Sequence, residues 1–301
     1  MKSYALIVNP SSGKGRALPK AEALRSRLSD AATVEVLETT HRGAAMEFAS
    51  EAALHVDRVI AVGGDGTLHE VMNGLISSGL GPSDLPALGF LPAGTANAAV
   101  RAFRLSSDPD SVAAALINAE VMPLDIGMVH HEGGQHAFLL WFGAGWDAVV
   151  IHALNSRRVG LMGVSGLVGH TPQVLEAIAR YDQPTITSQV NGSAFGAHSS
   201  VIIANVGPIA FGGMVTEAAD PADGQLDVVG VPHVTVLRAI HLGFRLMTSS
   251  LTRSSAVHHT PGSHITLQAD GHVPFQLDGE PVGVLPATVT LMRNAVRFLR
   301  T

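Results

Sequence analysis

The segment most able to do chemistry is Gly63-Gly64-Asp65-Gly66-Thr67, which follows the apolar run Val59-Ile60-Ala61-Val62 and precedes Leu68-His69-Glu70-Val71-Met72-Asn73. The run reads as a buried strand, and Leu68, Val71, Met72, Leu75 and Ile76 share one face of a helix. Thr67 and Glu70 have capping-box spacing, which predicts a helix start just after the glycines. Such a turn aims backbone N–H groups and the positive end of the helix at whatever lies above it. The three glycines let a bulky anion approach the main chain, and Asp65 among them could hold a divalent cation on that anion. The same residues also make an ordinary strand-to-helix turn. The dinucleotide pattern G-x-G-x-x-G fails, since His69 stands where its last glycine belongs. The P-loop pattern fails at Gly15 and at Val8.

Two more small-polar turns take equivalent places. Asn9-Pro10-Ser11-Ser12-Gly13-Lys14-Gly15-Arg16 follows a first apolar run, and Pro92-Ala93-Gly94-Thr95-Ala96-Asn97 follows a fourth. A parallel sheet would bring all three turns to one edge, where ligands collect. Later in the chain, Asp220-Pro221-Ala222-Asp223-Gly224-Gln225-Leu226-Asp227 sets three carboxylates before a strand: a turn, or an oxygen-rich Mg²⁺ or Ca²⁺ loop. Leu277-Asp278-Gly279-Glu280-Pro281 reads locally as an exposed hairpin; a Glu near phosphates could also accept a proton from an attacking hydroxyl. The fifteen histidines lack zinc spacing, because Asn73 follows His69-Glu70 where a second His is needed. No G-x-S-x-G elbow supports a serine nucleophile.

The elements that must position these residues are legible in outline. Up to about residue 123, strand patterns over 4–8, 34–37, 59–62 and 87–91 alternate with helical patterns over 17–28, 44–54, 68–76, 96–103 and 111–119, which predicts a parallel sheet covered by helices. Beyond it, segments 137–142, 185–190, 199–206, 226–231, 264–268 and 273–277 predict antiparallel sheet, with helices over 172–181 and 234–249 and a hairpin turn at Asn191-Gly192. At 301 residues the chain has room for about two domains. A formal charge of −6 gives no basic field to gather nucleic acid, and the absence of cysteine excludes disulfides and thiolate sites. Met1–Gly15 is too poor in apolar residues for a signal-peptide core, and no apolar run is long enough to span a membrane. A cytoplasmic protein is expected, at most peripheral at the inner membrane face.

Together, the Asn9-Pro10…Gly13 turn, Gly63–Thr67 with Glu70, Gly94-Thr95-Ala96-Asn97 and Asp278-Gly279-Glu280 resemble the diacylglycerol kinase catalytic-domain family, which includes bacterial lipid kinases and the sphingosine and ceramide kinases. The resemblance implies an α/β fold in two parts. One is an N-terminal parallel-sheet nucleotide-binding domain over 1–123, to which 287–301 could return; the other is a β-rich antiparallel lipid-acceptor domain over 124–286. It implies ATP held by Asn9, Pro10, Ser11, Ser12, Gly13, Thr40, Gly63, Gly64, Asp65, Gly66, Thr67, Leu68, His69, Glu70, Gly94 and Thr95. Glu280 resembles the family's proton acceptor and Asp65 the carboxylate that organises Mg²⁺ at the phosphates. Asp220, Asp223 and the backbone of Gln225 correspond to a magnesium loop. Lys14, Arg16 and Arg101 look like positions that neutralise phosphate charge. Ala98 stands where many members carry Asp, which bears on the choice of lipid.

The function implied is transfer of the ATP γ-phosphoryl group to a hydroxyl of diacylglycerol or a similar lipid, with transient membrane contact, no nucleic acid, and room for a homodimer. Residues 138–146 and 157–162 are expected candidates for lining a lipid path. The alternatives are an NAD kinase-like enzyme with a soluble acceptor and a nucleotide- or lipid-binding module without turnover.

Overall fold

The computed structural model describes residues 1–94, 98–118, 120–155, 176, 179–209, 213–233 and 235–300. The chain divides into two compact units, Met1–Leu124 with Asn294–Thr301, and Asp125–Arg293.

The first unit alternates strand and helix: β1 (Lys2–Val8), α1 (Ala17–Leu28), β2 (Ala32–Glu38), α2 (Ala44–Ala52), β3 (Arg58–Gly63), α3 (Asp65–Ser77), β4 (Ala87–Pro92), α4 (Ala98–Phe103) and α5 (Pro109–Asn118). The strands lie in the order β2-β1-β3-β4, all parallel. The last strand of the chain, β16 (Ala287–Leu299), joins beside β4 through Phe298 and Leu88. Strands β3 and β4 are buried along their whole length because helices cover both faces of the sheet. On one face, Ala17, Ala21, Leu24 and Leu28 of α1 pack with Leu6, Ile60, Val62 and Leu91. Each large apolar side chain so buried contributes about 1.5–3 kcal/mol. Four parallel strands end at one edge, which gathers the turns after Val8, Glu38, Gly63 and Pro92 there.

The capping box expected at Thr67 does not form. Helix α3 begins at Asp65 with Gly64 as its extended N-cap and no side-chain cap. Gly63 lacks a side chain, and a β-carbon there would collide with Thr67. The vacant space lets the chain turn into helix three residues earlier, with Thr67 buried in the first turn.

The second unit is built mainly from strands: β5 (Val121–His131), β6 (Gly134–Phe138), β7 (Trp141–Gly145), β8 (Ile186–Val190), β9 (Ser193–His198), β10 (Ser200–Ala204), β11 (Leu226–Val231), β12 (His258–Gly262), β13 (His264–Ala269), β14 (Pro274–Leu277) and β15 (Glu280–Val284), with helices α6 (Trp146–Asn155) and α7 (Val236–Met247). One sheet runs β12-β11-β10-β7-β14-β15, antiparallel throughout. In the other, β16 pairs with β13 and β5, β13 with β8, and β8 with β9. Side chains of both sheets share one core, in which Phe142 and Phe275 stack with ring centroids 5.2 Å apart. Asn191 and Gly192, at φ 50° and 79°, turn β8 into β9 as their sequence predicts. The segment expected as one strand over 137–142 is instead broken at Leu139-Leu140, because Asp278 takes the N–H groups that a continuous ladder would use. The helix expected over 172–181 lies largely outside the described residues. Among the described residues, no helix is long and apolar enough to cross a membrane.

Strand β11 leaves the acidic loop and is braced by a histidine pair. His198 is 2% exposed, its Nε2 lies 2.9 Å from Nδ1 of His258, and its ring fills the space left by Gly230. Burial, and secondarily the charge of His258, push His198 down to about 4. An unfolded chain takes up this proton near pH 6.5, so between about pH 6.5 and 4 the unfolded state binds more protons and folding weakens as the pH falls. Denaturant midpoints measured across that window should therefore decline on acidification by on the order of 1 kcal/mol for this residue, allowing for solvent screening. A His198→Phe variant should show a flatter profile.

Candidate functional site

In the first unit the turns predicted from sequence meet through main-chain contacts. The Gly63 carbonyl accepts both the Ala93 N–H at 2.7 Å and the Gly94 N–H at 3.0 Å, and the Asn9 N–H donates to the Val62 carbonyl at 3.0 Å. Gly13, at φ 61°, backs onto the Ala93 carbonyl so closely that no β-carbon fits. The turn after β1 is shaped by Asn9, whose Oδ1 accepts from the Ser11 N–H at 3.1 Å and the Ser11 hydroxyl at 2.7 Å. The Thr39 N–H donates to the Val8 carbonyl at 2.9 Å, and the Gly43 N–H donates to Oε2 of Glu70 at 3.2 Å. These bonds carry Thr40 to the same edge. The structure thus brings together Asn9–Gly13, Thr40, Gly63–Glu70 and Gly94; Thr95 lies outside the described residues.

Within that set, Thr67 and Leu68 have buried side chains, so they can offer a ligand only their backbone. Of the opening amides of α3, those of Thr67 and Leu68 already donate to the Gly64 carbonyl at 3.0 and 3.1 Å, so these two act on a ligand through the positive end of the helix. Asp65 has a structural task that the sequence does not reveal: its carboxylate accepts the Ala98 N–H at 2.8 Å and the Ala99 N–H at 3.1 Å, capping α4. Arg16 folds back onto the Gly13 carbonyl at 2.8 Å. Lys20, missed in the sequence, anchors the exit of β4 by donating to the carbonyls of Pro92 at 2.7 Å and Ser107 at 2.6 Å.

The second unit holds the acidic loop and Glu280. Asp220 Oδ1 accepts the Ala222 N–H at 3.0 Å and Asp223 Oδ1 the Gln225 N–H at 2.9 Å, so both carboxylates shape their own turns. Burial raises the pKa of Asp223, the Gln225 N–H partly opposes this, and the neighbouring Asp220, Asp227 and Asp125 raise it further. Such crowding of negative charge is what a bound cation would offset. Among the described residues no three His, Asp or Glu side chains are grouped to hold a metal. Asp220, Asp223 and the Gln225 carbonyl would therefore bind a cation that keeps several of its waters, which is normal for magnesium.

A chain of hydrogen bonds joins this loop to Glu280. Asp125 is buried; its carboxylate accepts the Gly224 N–H at 2.8 Å and its N–H donates to the Pro221 carbonyl at 2.7 Å. The amide of buried Asn205 donates to the carbonyls of Asp125 at 2.9 Å and Leu139 at 2.7 Å. The carboxylate of Asp278 then accepts the N–H groups of Leu139, Leu140 and Trp141 at 2.9, 2.8 and 3.0 Å. Asp278 and Gly279 both have positive φ, 53° and 92°, making a tight turn that places Glu280 opposite Leu277. Gln276 braces the turn, accepting the Gly279 N–H at 2.6 Å and donating to Asp147 at 2.5 Å. Burial holds the Asp147 carboxyl above its usual range, and its bonds to Gln276 and Trp141 oppose that shift. Glu280 itself stays partly exposed.

Asp125, Asn205, Gln276 and Asp147 were missed in the sequence. The available signal was an isolated polar residue inside an apolar strand, as in Leu124-Asp125-Ile126 and Ala204-Asn205-Val206. Of residues 138–146, expected as candidates for lining a lipid path, 138–142 are core side chains at 0–2% exposure, 143–145 are buried as well, and Trp146 is half-buried. Residues 157–162 lie outside the described residues.

Residues 3–129 match the diacylglycerol kinase catalytic domain, and residues 141–300 match the YegS C-terminal NAD kinase beta sandwich-like domain. The chain belongs to the diacylglycerol kinase catalytic-domain family. A protein of Bacillus subtilis strain 168 named diacylglycerol kinase is 27% identical over 307 residues, covering 98% of this chain and 95% of the relative. A crystal structure of a diacylglycerol kinase from Bacillus anthracis strain Sterne covers 100% of this chain and 97% of its own with a TM-score of 0.75 at 19% identity. A second structure from the same organism reaches a TM-score of 0.80 at 21% identity with the same coverage. At these identities the structures establish the shared fold of the family, with its parallel-sheet first unit and antiparallel second unit.

In this family member Asp278 is the keystone of the Glu280 turn. Asp278→Ala would strand three N–H groups, costing roughly 2–4 kcal/mol. Urea denaturation should show that loss, and Asp278→Asn, which keeps one acceptor oxygen, should lose less.

Proposed function

We propose that this chain is an ATP-dependent lipid kinase that transfers the γ-phosphoryl group to a hydroxyl of diacylglycerol or a similar lipid. The observation that carries the reading is the meeting of four side-chain-poor turns on Gly63 and its neighbours, which leaves main-chain amides and a helix start to receive a polyphosphate. Family membership supplies the reaction class, a kinase acting on a lipid.

In this reading Asn9–Gly13, Thr40, Gly63–Glu70, Gly94 and Thr95 bind and orient the triphosphate. Glu280 takes the proton from the acceptor hydroxyl, the oxygen bonds to the γ-phosphorus, and the bond from that phosphorus to the bridging oxygen breaks, releasing ADP. Asp65, while capping α4, is the carboxylate that would organise Mg²⁺ at the phosphates. Asp220, Asp223 and the Gln225 carbonyl would hold Mg²⁺. Magnesium, when bound, supplies positive charge that stabilises the phosphates. The Asp278 and Gln276 contacts fix the turn on which Glu280 stands, so that its geometry precedes substrate binding.

A second reading, phosphoryl transfer to a soluble dinucleotide, draws on the NAD kinase-like description of the second domain. Labelled ATP offered with dispersed diacylglycerol or with NAD separates the two: label should enter the lipid and not the dinucleotide. Binding of ATP without transfer to any lipid at any Mg²⁺ concentration would favour a non-catalytic module. Glu280→Gln should lower kcat by about 10²–10⁴-fold with the fold intact by circular dichroism. Unchanged turnover in that variant would remove Glu280 from the reaction.

A further inference from the structure

Strand β7 gives up two side chains where the chain passes into α6, and both gaps serve one carboxyl group. Gly145, at φ 87°, lies against the Ser199 carbonyl with no room for a β-carbon, and there the chain leaves β7 for a helix that begins at Trp146. Asp147, the second residue of that helix, reaches back over Gly143. A β-carbon at Gly143 would collide with the Asp147 carboxyl and crowd Nε2 of Gln276. Strand register sets Gly143 directly opposite Gln276 on β14. Asp147 therefore meets the Gln276 amide through the space that the glycine leaves, and its Oδ2 accepts from Nε2 at 2.5 Å and from the Trp141 indole N–H at 3.3 Å.

Gln276 is 0% exposed, so its amide depends on these neighbours for its hydrogen bonds. An amide has two orientations related by a half-turn. In the one adopted, Nε2 donates to Asp147 and Oε1 accepts the Gly279 N–H at 2.6 Å. Reversal would set Nε2 hydrogens against the Gly279 N–H and Oε1 against a carboxyl oxygen. Asp147 thus decides which end of the amide meets Gly279. That residue immediately precedes Glu280, and at φ 92° it is the most freely rotating point of the turn. Asp278 holds the same turn through the N–H groups of Leu139, Leu140 and Trp141, but those bonds do not engage the Gly279 N–H. The turn therefore has two independent supports, and only the one through Gln276 takes hold at Gly279.

We propose that Asp147 is a positioning residue for Glu280: by fixing the Gln276 amide it holds the Gly279 N–H and so aims the proton acceptor, without itself touching substrate. The proposal rests on the reading of Glu280 as the group that takes the hydroxyl proton, and its first test needs no turnover. Hydrogen exchange at the Gly279 amide, followed by NMR on the full ¹⁵N-labelled chain, should be slow in the wild type and faster by about tenfold or more in Asp147→Ala. Asp147→Leu repeats the removal without opening a cavity, and Asp147→Asn, which still offers an oxygen to Nε2, should lose less than either. In the assay with labelled ATP and dispersed diacylglycerol, Asp147→Ala should lower kcat by about 10–100-fold and leave the KM for ATP unchanged. Added to Glu280→Gln, or to Gln276→Leu, it should cost little more, because the three side chains act in series. Thermal melts identify variants that have kept their fold. Unchanged exchange at Gly279 in folded Asp147→Ala and Asp147→Leu overturns the proposal, as does a loss in kcat that multiplies in full with that of Glu280→Gln. Full wild-type activity in Glu280→Gln instead defeats the reading of Glu280, while exchange at Gly279 still decides whether Asp147 holds the turn.

Discussion

The first unit depends on one close approach, in which the carbonyl of Gly63 receives the amides of Ala93 and Gly94. Two strand exits are thereby locked side by side, and a third follows because Gly13 lies against the Ala93 carbonyl with no room for a β-carbon. The constraint is steric before it is chemical. A side chain at Gly13 would push its turn off the Ala93 carbonyl, and one at Gly63 would collide with Thr67 and disturb the start of α3. Lys20 reinforces the arrangement from outside by holding the carbonyls of Pro92 and Ser107. Burial and the flanking Arg16 lower its pKa, and the charge of Asp108 counters them.

The carboxylates divide into two kinds by what they touch. Asp65, Asp125 and Asp278 accept backbone N–H groups and so fix, respectively, the start of α4, the acidic loop and the bend between β6 and β7. Charge-assisted bonds of this sort are roughly twice as strong as neutral ones, and a carboxylate can accept several at once. Asp220 and Asp223 instead accept N–H groups two residues on, within their own turns, and with Glu280 they remain partly or largely accessible. The first group makes the second usable: Glu280 stands two residues beyond Asp278, and Asp220 and Asp223 flank the stretch that Asp125 grips at Pro221 and Gly224. Rigid backbone thus carries the more accessible carboxylates.

Which parts were legible in the sequence follows from the range of the forces involved. Alternating strands and helices in the first unit were readable because period-two and period-3.6 patterns are local, and the Asn191-Gly192 hairpin was readable for the same reason. The start of α3 was misread because the decisive fact is the empty space at Gly63, which moved the N-cap from Thr67 to Gly64. The break at Leu139-Leu140 was invisible because its cause, Asp278, lies 138 residues away from Leu140. Hydrophobicity alone also does not tell a buried apolar segment from an exposed one. Residues 138–142 are apolar because they are core, whereas α7 was read as a helix without any sign that its apolar row points outward.

That last distinction bears on how an acidic chain can work on a lipid. A formal charge of −6 would repel an anionic bilayer if net charge decided the matter. Screening reduces the reach of each charge to about 8 Å at physiological salt, so only groups near the contact count. A segment of 42 residues from Val228 to Ala269 without one carboxylate is then a local exemption from the charge of the whole. It surrounds the one described helix whose large apolar side chains line up facing solvent.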